Sequence, residues 1–163
     1  MAGDIKIWDA NGDGEINSLD RIRQDLTDIP QIVYGVNLGI TWKQFDLSLL
    51  FQGQAKVINT IQETWVDPSS GGAGNLMQWW TEDMWTPENT DGTKPRLGTP
   101  NKINGTTFTN INAAFFKLKN AEIGYTLPVA VREKIGVANA RVYLSGTNLF
   151  SFDHMRGMGI DPE

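Results

Sequence analysis

Between Gln31 and Lys43 the chain alternates without a break. Ile32, Tyr34, Val36, Leu38, Ile40 and Trp42 fall on one side, and Val33, Gly35, Asn37, Gly39 and Thr41 on the other. A sustained period of two specifies a β-strand, because successive side chains of an extended backbone point to opposite faces. Ordinary strands run about five or six residues. One about twice that long, with aromatic residues near both ends, matches the reach of a tilted membrane-crossing strand. Its second face is small and polar, a poor protein core but suited to a wet or polar lumen. The apolar face is therefore expected to meet lipid.

A second strand follows at once, with Phe45, Leu47, Leu49 and Phe51 on one face and Asp46, Ser48 and Gln52 on the other, leaving Lys43 and Gln44 to make the turn. Leu50 breaks the pattern. From Gly53 to Asn112 no period is sustained; Gly71-Gly-Ala-Gly74 and many Asn and Thr mark a long irregular loop, in which Trp79 to Asn89 is expected to hold a short helix before Pro87. Alternation returns around Phe115, less regularly in Phe115-Phe-Lys-Leu-Lys119 and clearly from Ala121 to Leu127, until Pro128 ends it. Val129 to Val137 reads as a connection with one helical turn closing on Gly136. A fourth strand is expected from about Ala140 to Phe150, with Val142 and Leu144 facing away from Arg141, Tyr143, Ser145 and Thr147.

The connections are by turns long and short, as in bacterial outer-membrane barrels with short periplasmic turns and long outer loops. On that rule 1–30 is an extracellular loop, 31–55 a transmembrane hairpin and 56–112 a long Trp-rich extracellular loop. Residues 113–151 are then two transmembrane strands joined by a periplasmic turn at 128–139, and 152–163 begins another outer loop. The fold class is all-β, antiparallel strands of a transmembrane β-barrel with long extracellular loops. Four strands cannot close a barrel, the smallest having about eight, so the segment is expected to be part of a larger one.

Composition narrows function by exclusion. The net charge is −5 and none of the 14 Lys and Arg form a run, which argues against nucleic acid as a partner. There is no cysteine, hence no disulfide framework or thiolate chemistry. No basic segment followed by an apolar one marks a secretory signal at the start, and no stretch approaches the roughly 20 apolar residues of a membrane helix. His154 has no partner carboxylate, Ser or Cys pattern that would place it in a catalytic set, and a solvated loop histidine is the commoner reading. No phosphate loop, nucleophile elbow or zinc spacing occurs. No catalytic residue is assigned.

Two constellations remain. Asp9, Asn11, Asp13, Glu15, Asn17 and Asp20 stand at the first, third, fifth, seventh, ninth and twelfth positions of an EF-hand-like loop, with Gly14 at its turn and Glu15 lending its backbone carbonyl. Ca²⁺ takes oxygen ligands in this spacing, although Asp20 replaces the usual bidentate Glu and no helix precedes Asp9. The same residue types also build Asx turns that hold no metal. Trp79, Trp80 and Trp85 offer aromatic faces that either contact a sugar-like ligand or pin down their own loop.

Several segments, in order, resemble the C-terminal part of SusC/RagA-type TonB-linked outer-membrane proteins of Bacteroidetes. They are Gly3-Asp-Ile-Lys6, Asp9-x-Asn-Gly-Asp-Gly-x-Ile16, Tyr34-Gly-Val-Asn-Leu38, Phe45-Asp-Leu-Ser-Leu-Leu-Phe-Gln-Gly53, Trp85-Thr-Pro-Glu-Asn89, Leu118-Lys-Asn-Ala-Glu-Ile-Gly-Tyr-Thr-Leu-Pro128 and Arg141-Val-Tyr-Leu-Ser-Gly-Thr-Asn-Leu-Phe150. The resemblance implies a plugged barrel of about 22 strands, a SusD-like surface lipoprotein as partner, and import of glycans or peptides driven through TonB. It also implies that four of the last five strands lie here, with the final strand beyond Glu163 and the plug and TonB-contacting segment elsewhere. Met1-Ala2 departs from the family's usual context and suggests a truncated reading frame. Two rivals stay open: a secreted dockerin-like calcium module, since Arg21-Ile-Arg-Gln-Asp-Leu26 follows the loop as a dockerin helix does, and a soluble carbohydrate-binding β-sandwich.

Overall fold

The computed structural model describes residues 1–61, 76–98 and 105–161. They form two compact units, one from 30–57 and 113–154, the other from 1–29, 58–112 and 155–161.

The first unit is an antiparallel sheet of four long strands, β1 (Ile32–Trp42), β2 (Phe45–Ala55), β5 (Phe115–Thr126) and β6 (Arg141–Asp153), in the order β1-β2-β5-β6. The strands run where alternation places them, and Lys43-Gln44 is the two-residue turn, with Lys43 in the left-handed region at φ 55°. Between β5 and β6 the expected helical turn is α2 (Val129–Lys134). Arg132 braces this connection by donating to the carbonyl of Ala138 and, at 2.8 Å, to Asn139 Oδ1.

Register explains the faces. Directly opposed residues share a face, so the pairings stack the rows Trp42–Phe45–Tyr125–Val142, Ile40–Leu47–Ile123–Leu144, Leu38–Leu49–Ala121–Gly146, Val36–Phe51–Leu118–Phe150 and Tyr34–Gly53–Phe116–Phe152 on one side. The other side carries Thr41–Asp46–Gly124–Tyr143, Gly39–Ser48–Glu122–Ser145 and Gly35–Gln52–Lys117–Ser151. The irregular Phe115-to-Lys119 stretch has a definite cause. Pairing with β2 shifts between Leu50 and Phe51, leaving Lys119 as an extra residue in β5. That bulge returns Leu118 and Phe116 to the apolar side, which strict alternation would have denied them.

The second unit holds what the sequence left as loop. Within it β3 (Ile58–Thr60) pairs antiparallel with β4 (Asn110–Asn112), a pairing that three-residue strands give too little period to announce. Helix α1 (Gln78–Thr81) is the expected short helix, ending well before Pro87. Its core is Ile61 and Trp80, covered by Ile5, Leu76, Met77, Trp79 and Ile111. The Gly71–Gly74 stretch lies outside the described residues. No helix among those described is long and apolar enough to cross a membrane, which leaves crossing by strands untouched.

Candidate functional site

The Asp9–Asp20 loop is ordered by its own acceptors. Asp9 receives the Gly12 and Gly14 N–H groups at 2.6 and 2.8 Å, Asn11 Oδ1 receives Asp13 N–H at 3.0 Å, and Asp13 Oδ1 receives Glu15 N–H at 2.8 Å. Asp20 closes the loop on itself, accepting from Ala10 N–H at 2.9 Å and from Asn17 N–H at 2.7 Å. The Asn17 side chain caps the 3₁₀ turn Ser18–Asp20 in a reciprocal capping box. The Asn17 N–H, followed by the Ala10 and Asn11 N–H groups, holds the Asp20 carboxyl below its ordinary range. The structure thus brings the first, second and twelfth positions together, with Asx turns at Asp9, Asn11 and Asp13. Among the described residues no three Asp, Glu, His or Cys side chains form a group that could hold a metal ion by themselves. The dockerin rival needs a helix at Arg21–Leu26, and that segment is not helical.

The tryptophans divide. Trp80 is only 2 % exposed and is the centre of a small core, where it pins its own loop. Trp79 meets it edge-on at 5.5 Å, Phe108 does so from another side at 5.8 Å, and Lys94 Nζ lies 5.7 Å from the Trp80 ring centroid and 6.0 Å from that of Trp79. Trp85 is half-buried, and its ring lies so close over Gly3 that a Cβ there would come within 2.6 Å. Arg96 fastens the same region, with its N–H donating to Gly3 O at 2.9 Å and its Nε to Asp4 Oδ1 at 2.7 Å. The Trp85-Thr-Pro-Glu-Asn89 motif is a turn closed by Thr86 and Asn89, with Asn89 Nδ2 donating to Met84 O at 3.0 Å. Gly92 lies flat against the Met84 backbone, where a Cβ would sit at 2.7 Å. Asp83 takes the Thr93 hydroxyl and N–H, which lower its pKa. Neither Lys94 nor Arg96 carried a signal in the sequence, because the rings and the carboxylate they meet lie some way along the chain. His154 is exposed.

On the sheet the apolar side is open. Val142 and Leu144 are 66 % and 75 % exposed. Aromatics gather at its two ends: Phe45 and Tyr125 at 4.7 Å with Trp42 beside them, and Tyr34, Phe51, Phe116, Phe150 and Phe152 in successive ring contacts. Phe51 and Phe150 meet across Leu118, leaving it 9 % exposed. The eight steps from Tyr34 to Trp42 span about 27 Å along the strand, or roughly 21 Å at a tilt of about 40°, close to the height of a barrel's apolar band. On the polar side Arg141 bridges Asp46 and Glu122, its guanidinium lying over Gly124.

An antiparallel meander whose open apolar face is bounded by aromatics at both ends, and whose other face is polar and salt-bridged, defines a wall segment of a transmembrane β-barrel. No protein-family model matches the chain. Two receptors of Formosa agariphila do: TonB-dependent receptor P3 is 34 % identical over 161 residues, or 95 % of this chain, and TonB-dependent receptor P26 is 31 % identical over 100 % of it. Solved structures of the RagAB peptide transporter, and of the RagAB peptide importer in its open-open state, superpose with TM-scores of 0.68 and 0.66, both at 27 % identity over 91 % of this chain. The chain spans 15 % and 16 % of the lengths of the two receptors and 16 % of each solved chain. It is a segment of the SusC/RagA type of TonB-dependent receptor.

Proposed function

We propose that this chain supplies barrel wall and external loops to an outer-membrane transporter that imports glycans or peptides, capped outside by a SusD-like lipoprotein and energised by TonB through a plug encoded elsewhere. The observation that carries the reading is the register itself. It stacks five apolar rows across four strands, and a bulge preserves them where alternation fails. The likeness to a peptide importer supports a peptide as cargo, and the resemblance to the SusC/RagA type supports the surface lipoprotein as partner. No side chain here is assigned to catalysis. Sidedness is the direct test: in the receptor carrying this segment, a cysteine at Glu88 should react with an impermeant maleimide on intact cells, and one at Lys134 only after the outer membrane is opened. The reverse pattern would refute the orientation.

The Asp9–Asp20 loop, on the same reading, braces an external surface and takes Ca²⁺ through Asp9, Asn11, Asp13, Asn17, Asp20 and the Glu15 carbonyl. Support comes from the spacing and from the closure of its twelfth position onto its second. Trp8, exposed beside Asp9, provides a readout: bound Tb³⁺ should luminesce on Trp excitation and be displaced by Ca²⁺. Luminescence unchanged in Asp9→Ala and Asp13→Ala would exclude this loop as the site.

A further inference from the structure

The connection between β5 and β6 is not shaped like a solvated turn. Val129, Val131, Ile135 and Val137 are 57 %, 42 %, 57 % and 39 % exposed, an apolar surface concentrated in nine residues. A turn in water normally carries polar residues, and so high a density of exposed aliphatics points to a contact with something apolar. Its position indicates what. The segment begins three residues after β5 ends at Thr126, and the row Trp42–Phe45–Tyr125–Val142 is the aromatic row at that end of the sheet. Aromatic rows of this kind sit at the depth of lipid headgroups, so the aliphatics just past them lie at the membrane surface. Charge agrees. In a chain of net charge −5, this end exposes two cations, Lys134 and Lys43, against one exposed carboxylate, Glu133, and the Lys43 Nζ lies 4.8 Å from the Trp42 ring centroid. A lysine stem can follow apolar surface while its ammonium reaches phosphate. Arg132 is already engaged by Ala138 and Asn139 and so holds the aliphatics in place instead.

We propose that Val129–Val137 is an interfacial anchor, its aliphatic side chains embedded among the headgroups of the leaflet at the short-turn end of the barrel and its lysines paired with anionic phospholipid. This rests on the reading of the sheet as barrel wall. The test uses the whole receptor carrying the segment, reconstituted in phosphatidylglycerol-containing bilayers with brominated acyl chains, and an environment-sensitive dye on a single cysteine. Dye at Val131 or Ile135 should be quenched to roughly half the extent seen at Val142 or more, as for a side chain at the headgroup–acyl boundary, while dye at Glu88 should not be. Quenching at Val142 without quenching at Val131 and Ile135 would overturn the anchor and leave the wall intact. No quenching at Val142 would sink the wall reading and the anchor with it. Quenching at Ile135 should weaken when phosphatidylcholine replaces phosphatidylglycerol, and Lys43→Glu with Lys134→Glu should abolish that difference. Equal quenching in both lipids would refute the headgroup pairing.

Discussion

Gly53 is the position where adding one methyl should cost the sheet most. Tyr34, directly opposite on β1, lays its ring over this glycine and donates its hydroxyl to the Phe115 carbonyl of β5 at 3.2 Å, so one side chain ties three strands together. A Cβ at Gly53 would lie 2.5 Å from the Phe115 carbonyl oxygen and would collide with the Tyr34 ring. The carbonyl is backbone and cannot retreat; the ring can, but only by giving up its hydrogen bond. Overpacking of this kind costs about 1–3 kcal/mol and the lost hydrogen bond about 0.5–1.5 kcal/mol. Gly53→Ala should therefore destabilise by about 2–4 kcal/mol, read as a lower denaturant midpoint for unfolding of the reconstituted barrel. Tyr34→Phe should lose only the hydrogen bond, about 1 kcal/mol. In a Tyr34→Ala background the cost of Gly53→Ala should fall without vanishing, because the carbonyl remains. A Gly53→Ala cost under about 0.5 kcal/mol, inside the range of an ordinary surface change, or a cost that does not depend on Tyr34, would refute the role given to the ring.

Gly124 makes the contrast. Its obstacle is the far end of a flexible Arg141 side chain, which can withdraw at the expense of partly exposed ion pairs, so Gly124→Ala should cost clearly less than Gly53→Ala; an equal cost would show the contact to be rigid. Trp80→Ala removes the centre of a small core, with an expected loss of about 3–5 kcal/mol. It should be visible as faster amide exchange in Ile58–Thr60 and Asn110–Asn112, and unchanged exchange there would contradict the assigned core. Asp20 sets a pH dependence. Its folded pKa is depressed by backbone donors, so its contribution is complete above the ordinary carboxylate value of about 3.9 and is lost as pH falls through the lower folded value. Protection of the Ala10 and Asn17 amides should persist below the ordinary carboxylate value and be lost only as pH falls through the lower folded value, and protection persisting in Asp20→Ala would show that other groups close the loop.

What was legible in the sequence was whatever repeats. Alternation placed β1 and most of β2, β5 and β6, and two unpatterned residues placed the turn between β1 and β2. Where the period breaks, at Phe115 to Lys119, the cause is a bulge whose partners lie on β2, beyond the reach of any local window. The units built from distant pairs were hidden for the same reason: β3 with β4, Arg96 with Asp4, Trp85 on Gly3. The tryptophan cluster was visible, but which of its members faces inward was not, because burial of Trp80 depends on Ile61 and Phe108. The Asp9–Asp20 spacing was legible in full, since every one of its hydrogen bonds is local.

The extra residue at Lys119 also separates the two ends of β5 into independent frames. Because each end has its own parity, a change in length on one side need not invert the side chains on the other, provided the bulge absorbs it. A descendant of this segment could thus raise or lower one aromatic belt to suit a thicker or thinner membrane and leave the Asp46–Arg141–Glu122 end of the wall as it is.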